Sequence, residues 1–565
     1  MKAFYKVREF NDIRELMDMS TNLFGDKPAF EVKRQDGTHY NITYRDYRKD
    51  IDAFGTAITS MGFSDARIAI CADNCYEYCL TYISTICGLG VVVPVDKELS
   101  SDDVNGILNA AEIDILVCDE KQLNRLDFSG APKDMTVVCV RMKEDKEGVL
   151  RFETLLEDGH KLLAQGNADY LNIPLDPEKL CTLLFTSGTT GLSKGVMLCQ
   201  RNFVFEVKAA MGVIKIYPED CGISLLPLHH TFESSIILFF APYCGAKVTF
   251  CEGFKYVLRN MKEFNPSIFV AVPLVLQTVH RRILKAVKAK PHGETMFKVG
   301  KVLCKAGSKI GLDLKKVFFK EIQQTFGGNM RMIICGGAPI DPQILEDFDA
   351  FGIQIVFGYG LTECAPLAII NHDRLHLAES VGEPLPGTQT KIFNPDEEGV
   401  GEICVKGDMV MLGYYNNPEA TAEVMDEDGF FHTGDMGYMD KKGHVYLTGR
   451  CKNVIVTSNG KNIYPEELEY QLSRDPVVSD CMVLGKDNAK GELEVHAQIF
   501  PDMAEVKERL GTDKPSSEEL ETLFKDVVEG TNGKLAKFKR IKGFSLRDKD
   551  FVKTTTQKIK RFENV

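Results

Sequence analysis

The chain has 565 residues, too many for one hydrophobic core, so we expect several structural units. Its composition, 44% hydrophobic and 26% charged, is typical of a globular protein and excludes a disordered or fibrous chain. A formal net charge of −13 with a pI of about 5.5 argues against nucleic acid as a partner.

The N-terminal residues, MKAFYKVRE, contain no apolar segment of the kind found in secretory signals. We therefore expect the seventeen cysteines to be reduced thiols of a cytoplasmic protein. Two mostly apolar stretches, 78–95 and 234–251, are interrupted by glycine and proline, so we predict that neither crosses a membrane.

Short runs rich in Val and Ile recur along the chain, with segments of helical length between many of them. The runs are 67–70, 91–95, 115–118, 136–140, 182–185, 223–226, 248–251, 268–272, 332–335 and 353–357. This alternation predicts layered α/β structure with largely parallel sheets. From residue 281 to about 328 the chain is basic with helical spacing, which favours a solvated helical excursion.

Beyond Arg450 the segments become shorter and more charged. Pro465, followed by two glutamates, is typical of a helix start, and Ser516 with Glu519 has the spacing of a capping box. A strand-like run, 495–500, lies between them. These features predict a small α+β domain at the C-terminus.

The first chemical motif is LFTSGTTGLSKG, at 184–195, which follows an apolar strand-like run. Its glycines permit a sharp turn whose backbone N–H groups can surround an anion. The spacing is not that of a Walker A loop. A flexible surface turn is the alternative to a phosphate loop. As a phosphate loop, it would use Thr186, Ser187, Gly188, Thr189, Thr190, Gly191 and the ammonium group of Lys194.

The order of these residues resembles the phosphate loop of the adenylate-forming superfamily of acyl-CoA synthetases, peptide-synthetase adenylation domains and luciferases. A second motif, FGYGLTE at 357–363, is similar to that family's Tyr-Gly-x-Thr-Glu. The resemblance implies ATP binding by Gly358, Tyr359, Gly360 and Thr362. It also makes Glu363 a catalytic residue and the ligand of Mg²⁺, a cation that prefers oxygen ligands.

Two further motifs lie at the predicted domain boundary. In FHTGD, at 431–435, Asp435 resembles the family's ribose-binding aspartate, and we expect it at a tight turn. In GRCKN, at 449–453, the resemblance implies that Arg450 binds ribose or phosphate and that Lys452 is the hinge pivot. Asn453 stands where the family more often has Asp.

The C-terminal run KTTTQKIKR, at 553–561, resembles the motif that carries the family's catalytic lysine, here Lys558. Val552 and Gln557 replace the usual Pro and Gly. The runs LPLHHTF, at 226–232, and CGGAP, at 335–339, also match the family. They imply a catalytic His230 and nucleotide contacts from Gly336, Gly337 and Ala338.

The resemblance implies a large N-terminal domain, 1–449, of layered α/β sheets with a small β-rich subdomain. A hinge, 450–454, would join it to a small mobile α+β domain, 455–565. The resemblance also implies two half-reactions. A carboxylate first attacks ATP to form acyl-adenylate and pyrophosphate, and the thiol of coenzyme A then displaces AMP. Lys194, Lys558 and Mg²⁺ would offset the negative charge, and Ser458 and Gly460 would border the coenzyme A channel.

The substrate is predicted to be a fatty acid. The region around His230 lacks the Phe-Asp pair that holds the amino group in amino-acid-activating relatives. The C-terminal motif and the insert before Met332 look most like those of long-chain fatty acid–CoA ligases. The apolar runs 236–240 and 273–279 would line the pocket. Transfer to an acyl carrier protein, a non-catalytic nucleotide-binding protein on this fold, and peripheral membrane contact remain open, as does the oligomeric state.

Overall fold

A computed structural model gives the structure of the chain. It describes residues 1–34, 36–186, 194–309, 312, 314–336, 340–375, 377, 379–456, 461–487, 493–554 and 558–564. By packing, the chain divides into two compact units, Met1–Gln389 with Val405–Phe431, and Thr390–Cys404 with His432–Val565. The second unit thus starts earlier in sequence than the predicted boundary at 449. The predicted hinge at 450–454 concerns motion and stays a prediction.

The strands, in chain order, are β1 (Pro28–Lys33), β2 (His39–Thr43), β3 (Ala66–Cys71), β4 (Gly90–Pro94), β5 (Ile115–Asp119), β6 (Thr136–Val140), β7 (Val149–Arg151), β8 (Leu180–Thr186), β9 (Lys194–Cys199), β10 (Cys221–Ser224), β11 (Lys247–Phe250), β12 (Ile268–Ala271), β13 (Met332–Gly336), β14 (Gln354–Gly360), β15 (Leu367–Asn371), β16 (Glu383–Pro384), β17 (Gln389–Phe393), β18 (Gly401–Lys406), β19 (Gly413–Tyr414), β20 (Phe431–Met439), β21 (Val445–Arg450), β22 (Ile455–Val456), β23 (Asn462–Ile463), β24 (Val478–Asp487), β25 (Leu493–Pro501) and β26 (Gly543–Leu546).

The α-helices follow the same order. They are α1 (Ile13–Phe24), α2 (Tyr44–Ser60), α3 (Tyr76–Ser84), α4 (Ser101–Ala110), α5 (Glu120–Arg125), α6 (Phe152–Ala164), α7 (Gln200–Met211), α8 (Thr231–Ser235), α9 (Ala241–Cys244), α10 (Val257–Phe264), α11 (Pro273–Lys288), α12 (Gly293–Lys309), α13 (Lys315–Phe318), α14 (Lys320–Thr325), α15 (Pro342–Ala350), α16 (Pro418–Val424), α17 (Pro465–Ser473), α18 (Met503–Leu510) and α19 (Ser517–Asn532). Among the described residues, none of the helices is both long and apolar enough to span a bilayer.

Two large sheets form the frame of the first unit. Within the described residues one has nine strands, in the order β16-β15-β14-β13-β12-β10-β11-β1-β2, and the other has eight, in the order β19-β9-β8-β4-β3-β5-β6-β7. Their central strands run parallel, whereas antiparallel strands close the edges at β2, β15, β16, β9 and β19. Parallel strands need covering layers on both faces, which explains the near-continuous Val and Ile runs of the sequence.

The second unit contains the three-stranded sheet β24-β25-β26, the pair β22–β23 and most of the four-stranded sheet β17-β18-β20-β21. Its own core packs α17 and α19 against this three-stranded sheet through Leu468, Phe524 and Val483. Helix α19 begins with the predicted capping box, in which Ser516 and Glu519 exchange side-chain and backbone hydrogen bonds. Pro465 is the first residue of α17, as predicted.

The predicted α/β class is confirmed. Each of the ten predicted Val/Ile-rich runs overlaps a strand, from β3 to β14, and the basic region beginning at residue 281 is helical. Fifteen of the seventeen cysteines are buried, Cys251 is half-buried and Cys451 is exposed. This distribution agrees with thiols that serve mainly as small apolar side chains.

Helices α2 and α6 lie so close together that a glycine is required at their contact. A Cβ atom at Gly159 would lie 1.9 Å from the carbonyl oxygen of Ala53. Because both partners belong to helix backbones, neither can move aside as a flexible side chain would. Gly106, in α4, offers a contrast, since a Cβ atom there would have no neighbour within 4 Å.

We predict that Gly159→Ala lowers the free energy of unfolding by about 1–3 kcal/mol, because the added methyl group overpacks the helix contact. Gly106→Ala is the matched control and should raise it by up to about 1 kcal/mol through helix propensity. Thermal unfolding followed by circular dichroism measures both. Equal unfolding temperatures for Gly159→Ala and the parent chain would contradict the close-packing argument.

Candidate functional site

The predicted phosphate loop connects two antiparallel strands, β8 and β9. Thr186 is the last residue of β8 and pairs in register with Lys194, the first residue of β9. The Thr186 hydroxyl donates to the carbonyl oxygen of Lys194 across 3.4 Å. Both ends of the loop are thus held by the sheet. The predicted loop contacts Ser187, Gly188, Thr189, Thr190 and Gly191 lie outside the described residues.

Strand β19 places Tyr414 beside both charged residues of this region. It pairs antiparallel with β9, with Tyr414 opposite Val196. The Lys194 ammonium nitrogen lies 4.7 Å from the centre of the Tyr414 ring, a cation–π distance. The Tyr414 hydroxyl donates to Oε1 of Glu363 across 2.9 Å. One tyrosine therefore contacts the predicted phosphate-binding cation and the predicted metal-binding carboxylate.

Glu363 lies in a short 3₁₀ turn, Thr362–Cys364, directly after β14. Its main-chain oxygen accepts a hydrogen bond from the amide of Met411 across 2.8 Å, which ties the turn to the segment before β19. Burial raises the pKa of Tyr414 far above its usual value, and the charge of Glu363 raises it further. The phenol therefore stays protonated and donates to Glu363. Sequence reasoning missed Tyr414, because its partners, Lys194 and Glu363, are distant from it in sequence.

The glycines of the second motif permit close approach of backbone. Gly336, the last residue of β13, pairs in register with Gly358 of the parallel strand β14. A Cβ atom at Gly360 would lie 1.7 Å from the carbonyl oxygen of Pro366. Tyr359 is buried and Thr362 is half-buried, and their predicted contacts with the nucleotide stay predictions. Gly337 and Ala338 lie outside the described residues.

The predicted catalytic His230 precedes α8 and is half-buried. The ring of His229 lies 4.1 Å from the ring of His230. Burial lowers the pKa of His229 well below its usual value, and the neighbouring His230 and Lys97 lower it further. His229 is therefore a neutral imidazole. Burial also raises the pKa of Glu233 to about 8, so this carboxyl carries a proton at neutral pH.

Asn74 fixes the segment that leads to these histidines, and sequence reasoning did not identify it. Its side-chain amide donates to the carbonyl oxygen of Leu226 across 2.7 Å, and its side-chain oxygen accepts from the amide of Leu228 across 3.1 Å. Both partners lie in the LPLHHTF motif. This clamp makes the backbone before His230 a defined structure rather than an open loop.

The two runs predicted to line an acyl pocket differ in burial. All five side chains of Ile236–Phe240 are buried, and the Phe239 ring packs 4.6 Å from the ring of Phe203. The run therefore contributes to the protein core. In 273–279, at the start of α11, Pro273 and Leu276 are buried and the other side chains are half-buried. Their role in binding an acyl chain stays a prediction.

In the second unit, strand pairing brings Asp435 and Arg450 together. The two residues face each other in the antiparallel pair β20–β21, and Arg450 Nε lies 2.8 Å from Asp435 Oδ1. The expectation of a tight turn at Asp435 is wrong, because FHTGD lies within strand β20. Gly434 nevertheless has a left-handed backbone, with φ of +71°. This conformation, which glycine adopts easily, accounts for the glycine before the aspartate.

Glu402, on strand β18, supports the backbone around this glycine. Its Oε1 accepts from the amide of Gly434 across 2.9 Å, and its Oε2 lies 2.8 Å from Nδ1 of His432. The ligand-type atoms of Glu402, Cys404 and His432 lie within 4.8 Å of one another. The contact between His432 and Glu402, together with the 3.5 Å contact between Cys404 Sγ and His432 Nδ1, accounts for this proximity. Glu402 was not among the predicted site residues, because its partners belong to a separate strand.

Lys558 lies in the same unit as Asp435 and Arg450. Its amide donates to the Thr554 hydroxyl across 3.1 Å, and its carbonyl oxygen accepts from the Thr554 amide across 2.8 Å. Although the residue remains exposed to solvent, neighbouring protein atoms lower the pKa of its ammonium group by desolvation. The positive charge of Arg450 lowers it further, while Asp435 acts in the opposite direction. Three predicted residues thus share one electrostatic environment.

The predicted hinge residue Lys452 is exposed in the 3₁₀ turn Cys451–Asn453. The side-chain amide of Asn453 donates to Glu466. An aspartate at this position could not donate and would repel this carboxylate. The partner therefore explains the Asn. The predicted channel residues Ser458 and Gly460 lie outside the described residues.

Known proteins are similar to this chain in both sequence and fold. The AMP-binding enzyme family matches residues 18–415. Long-chain-fatty-acid–CoA ligase 5 of Rattus norvegicus is 28% identical, over 95% of this chain and 84% of its own length. The chloroplastic long-chain-fatty-acid–acyl-carrier-protein ligase AEE15 of Arabidopsis thaliana is 26% identical, over 89% and 78%.

Among solved structures, the o-succinylbenzoate coenzyme A synthetase of Bacillus subtilis, in complex with ATP and magnesium ion, shares the fold. The TM-score is 0.72 at 20% identity, with 97% of this chain and 98% of that chain covered. The predicted cofactors agree with these names: the family is called AMP-binding, the rat relative is a coenzyme A ligase, and the Bacillus subtilis structure holds ATP and magnesium ion. The match over most of its length and the motifs that the fold assembles show that the chain belongs to the AMP-binding, adenylate-forming enzymes.

Proposed function

We propose that the protein activates a long-chain fatty acid with ATP and transfers the acyl group to coenzyme A. The observation that supports this best is the cluster in which Tyr414 contacts both Lys194 and Glu363, because adenylate formation needs a cation and a metal-binding carboxylate near one polyphosphate. The similarity to long-chain-fatty-acid–CoA ligases over 95% of the chain supports a long-chain fatty acid as the substrate and coenzyme A as the acceptor.

The chemical difficulty of the first step is charge. An anionic carboxylate must approach the α-phosphorus of ATP, and negative charge accumulates at phosphorus as the new bond forms. The backbone of Lys194 pairs with Thr186 at the start of strand β9, which fixes its position. Its ammonium group is suited to the phosphate oxygens of ATP. Lys558 supplies a second cation. Removal of one preorganised group of this kind costs on the order of 10²–10³ in rate.

Glu363 fits Mg²⁺ by the chemistry of its donors. A carboxylate oxygen is a hard ligand of the type that Mg²⁺ prefers. When bound, the ion would neutralise charge on the phosphate oxygens of ATP. The hydroxyl of Tyr414 would hold the Glu363 carboxylate in one orientation, a role that outer hydrogen bonds commonly have at metal sites.

Asp435 and Arg450 suit the sugar of the nucleotide. The Asp435 carboxylate can accept hydrogen bonds from two ribose hydroxyls, as acidic residues do in dinucleotide-binding folds. Arg450 pairs with this carboxylate and adds donors for hydroxyl or phosphate oxygens. Glu402 supports the backbone beside Asp435 through its hydrogen bond with the Gly434 amide. We retain Lys452 as the hinge pivot and Ser458 and Gly460 as channel residues within this proposal.

A second acceptor is supported by one observation. The Arabidopsis relative is named for transfer to an acyl carrier protein, and it covers 89% of this chain. Both acceptors present the same kind of thiol, so the adenylation chemistry would be unchanged. A carrier protein would add contacts between protein surfaces.

We predict that purified protein with ATP and Mg²⁺ releases pyrophosphate with long-chain acids in a panel from acetate to oleate. AMP should appear in full only when coenzyme A is added, because the thiol displaces it. AMP release with an acyl carrier protein but not with coenzyme A would favour the second acceptor. Absence of pyrophosphate with every acid would contradict both and favour a non-catalytic protein.

We predict that Lys558→Ala lowers the rate of pyrophosphate release on the order of 10²–10³-fold, since a preorganised cation is lost. Lys560→Ala is the matched control. Lys560 is on the same tail, but its ammonium group pairs with Glu563 across 3.0 Å, and the rate should stay within about threefold. If both variants lose the same activity, Lys558 has no special role in the first step.

We predict that Tyr414→Phe raises the Mg²⁺ concentration for half-maximal pyrophosphate release by about 10-fold or more, because Glu363 loses its hydroxyl partner. Tyr415→Phe is the control, because the Tyr415 hydroxyl accepts a hydrogen bond from Arg67 across 2.6 Å and so serves a different partner. The ring of Tyr414 remains, so its contact with Lys194 is preserved. If the Mg²⁺ dependence of Tyr414→Phe were unchanged, the Tyr414 hydroxyl would have no role at the proposed metal site.

A further inference from the structure

Helix α12, in the basic helical region of the first unit, is anchored by one stripe of side chains. The Phe297 ring packs 5.7 Å from Phe319 and 5.8 Å from Phe351. One turn later, Lys301 pairs with the buried carboxylate of Asp347. These contacts fix which side of the helix faces the protein.

The opposite side of α12 is apolar and exposed. Met296 is 68% exposed, Val299 50%, Val302 67% and Leu303 41%. At 100° per residue these four positions occupy an arc of about 120° on the helix surface. A surface helix of a globular protein normally presents polar residues there. Helix α12 therefore has a second apolar face that the described part of the chain leaves uncovered.

The apolar surface continues beyond the helix. Leu312 is 55% exposed, Val317 71% and Phe318 44%. A Cβ atom at Gly300 would lie 3.5 Å from the Cβ of Phe318, and one at Gly307 would lie 2.9 Å from the carbonyl oxygen of Leu312. These contacts join the later residues to the same helix. We call this surface the α12 patch; its members are Met296, Val299, Val302, Leu303, Leu312, Val317 and Phe318.

Charge around the patch is opposite in sign to that of the rest of the chain. Residues 281–325 contain twelve Lys and Arg against three Asp and Glu, a formal charge of +9. The whole chain carries −13, so the remaining residues carry −22. Lys298 and Lys305, seven positions apart on α12, are exposed and border Val302 on the helix surface. Cations thus border the apolar arc along one side of the helix.

We propose that the α12 patch docks the protein on the surface of an anionic phospholipid membrane. An interfacial helix buries its apolar face at the boundary of headgroups and acyl chains, while its lysines attract the negative lipids. The docking itself does not depend on the proposed function. The benefit of docking does rest on the proposed function, because long-chain acids are concentrated in membranes and docking would bring the protein to its substrate.

A second copy of this chain would be a poor occupant of the patch. In a symmetric dimer the same surface patch meets itself, which would bring two regions of charge +9 together. An anionic bilayer offers apolar depth and opposite charge at once. The membrane is therefore the partner that satisfies both properties of the patch.

The test uses the full-length protein and co-sedimentation with two kinds of vesicle, pure phosphatidylcholine and phosphatidylcholine containing phosphatidylserine. We expect binding to the anionic vesicles, little binding to the neutral ones, and weaker binding at high salt because exposed charges are screened. Equal binding to both kinds of vesicle, or to neither, would overturn the proposal.

Variants locate the surface. The double variant Val299→Asp with Val302→Asp should lower the affinity for anionic vesicles at least about tenfold, and Lys298→Gln should lower it about fivefold. Leu23→Asp is the matched control. Leu23 is also helical and is 53% exposed, but it lies on α1, outside the patch, so binding should stay within about twofold. Unchanged binding in the double variant would overturn the assignment to α12.

Further measurements separate membrane docking from misfolding and from self-association. Unfolding temperatures of the variants should match that of the parent chain, since all substituted side chains are exposed. Sedimentation without vesicles should show the same oligomeric state for all; a dimer that only the double variant loses would assign the patch to a second copy instead. Pyrophosphate release with a long-chain acid supplied without vesicles should be unaffected by the double variant. Vesicle binding without any acid activation would leave the docking intact and reject the proposed function.

Discussion

The pairing of β19 with β9 is the constraint on which the first unit's candidate site depends. Strand β9 begins at Lys194, so the strand added at this edge determines what lies next to the lysine. The added strand carries Tyr414, whose ring contacts the ammonium group and whose hydroxyl contacts Glu363. Among the described residues no ion pair joins Lys194 directly to Glu363. Both charges therefore remain available for ligands instead of neutralising each other.

Strand register has the same role in the second unit. Asp435 faces Arg450 because β20 and β21 pair at these positions, and β18 contributes Glu402 from a third segment. The left-handed Gly434 gives the backbone the shape that lets its amide reach Glu402. The lowered pKa of Lys558 reflects the same neighbourhood, since Arg450 is one of its causes. This region thus brings together three charged side chains, those of Asp435, Arg450 and Lys558.

The charge of the molecule is also unevenly distributed over its surface. A basic helical region within an acidic chain, with apolar residues exposed between its lysines, costs solubility unless something covers it. The buried ion pair between Lys301 and Asp347 shows that part of this basic charge is used to attach α12 to the fold. Docking on an anionic surface, as proposed above, would engage the exposed lysines on the outer side of the helix.

Much of this protein could be predicted from its sequence. The Val and Ile runs identified strands because parallel strands are buried on both faces, and the motifs at 184–195, 357–363, 449–453 and 553–561 identified the family because their residue types and order are specific. The capping box of α19 was predictable because its partners are three residues apart. Local chemistry and periodicity were sufficient in all of these cases.

Only the tertiary structure decided which distant residues complete the site. Tyr414, Glu402 and Asn74 carry no local signal, because their roles come from strands and segments far away in sequence. The turn expected at Asp435 was wrong for the same reason: Asp435 pairs with Arg450 of β21, within a strand that runs from Phe431 to Met439. The sequence showed that the region of α12 is basic, but only packing showed which of its apolar residues stay exposed. Periodicity specifies that a helix has an apolar face, whereas contacts across the fold determine whether that face is covered.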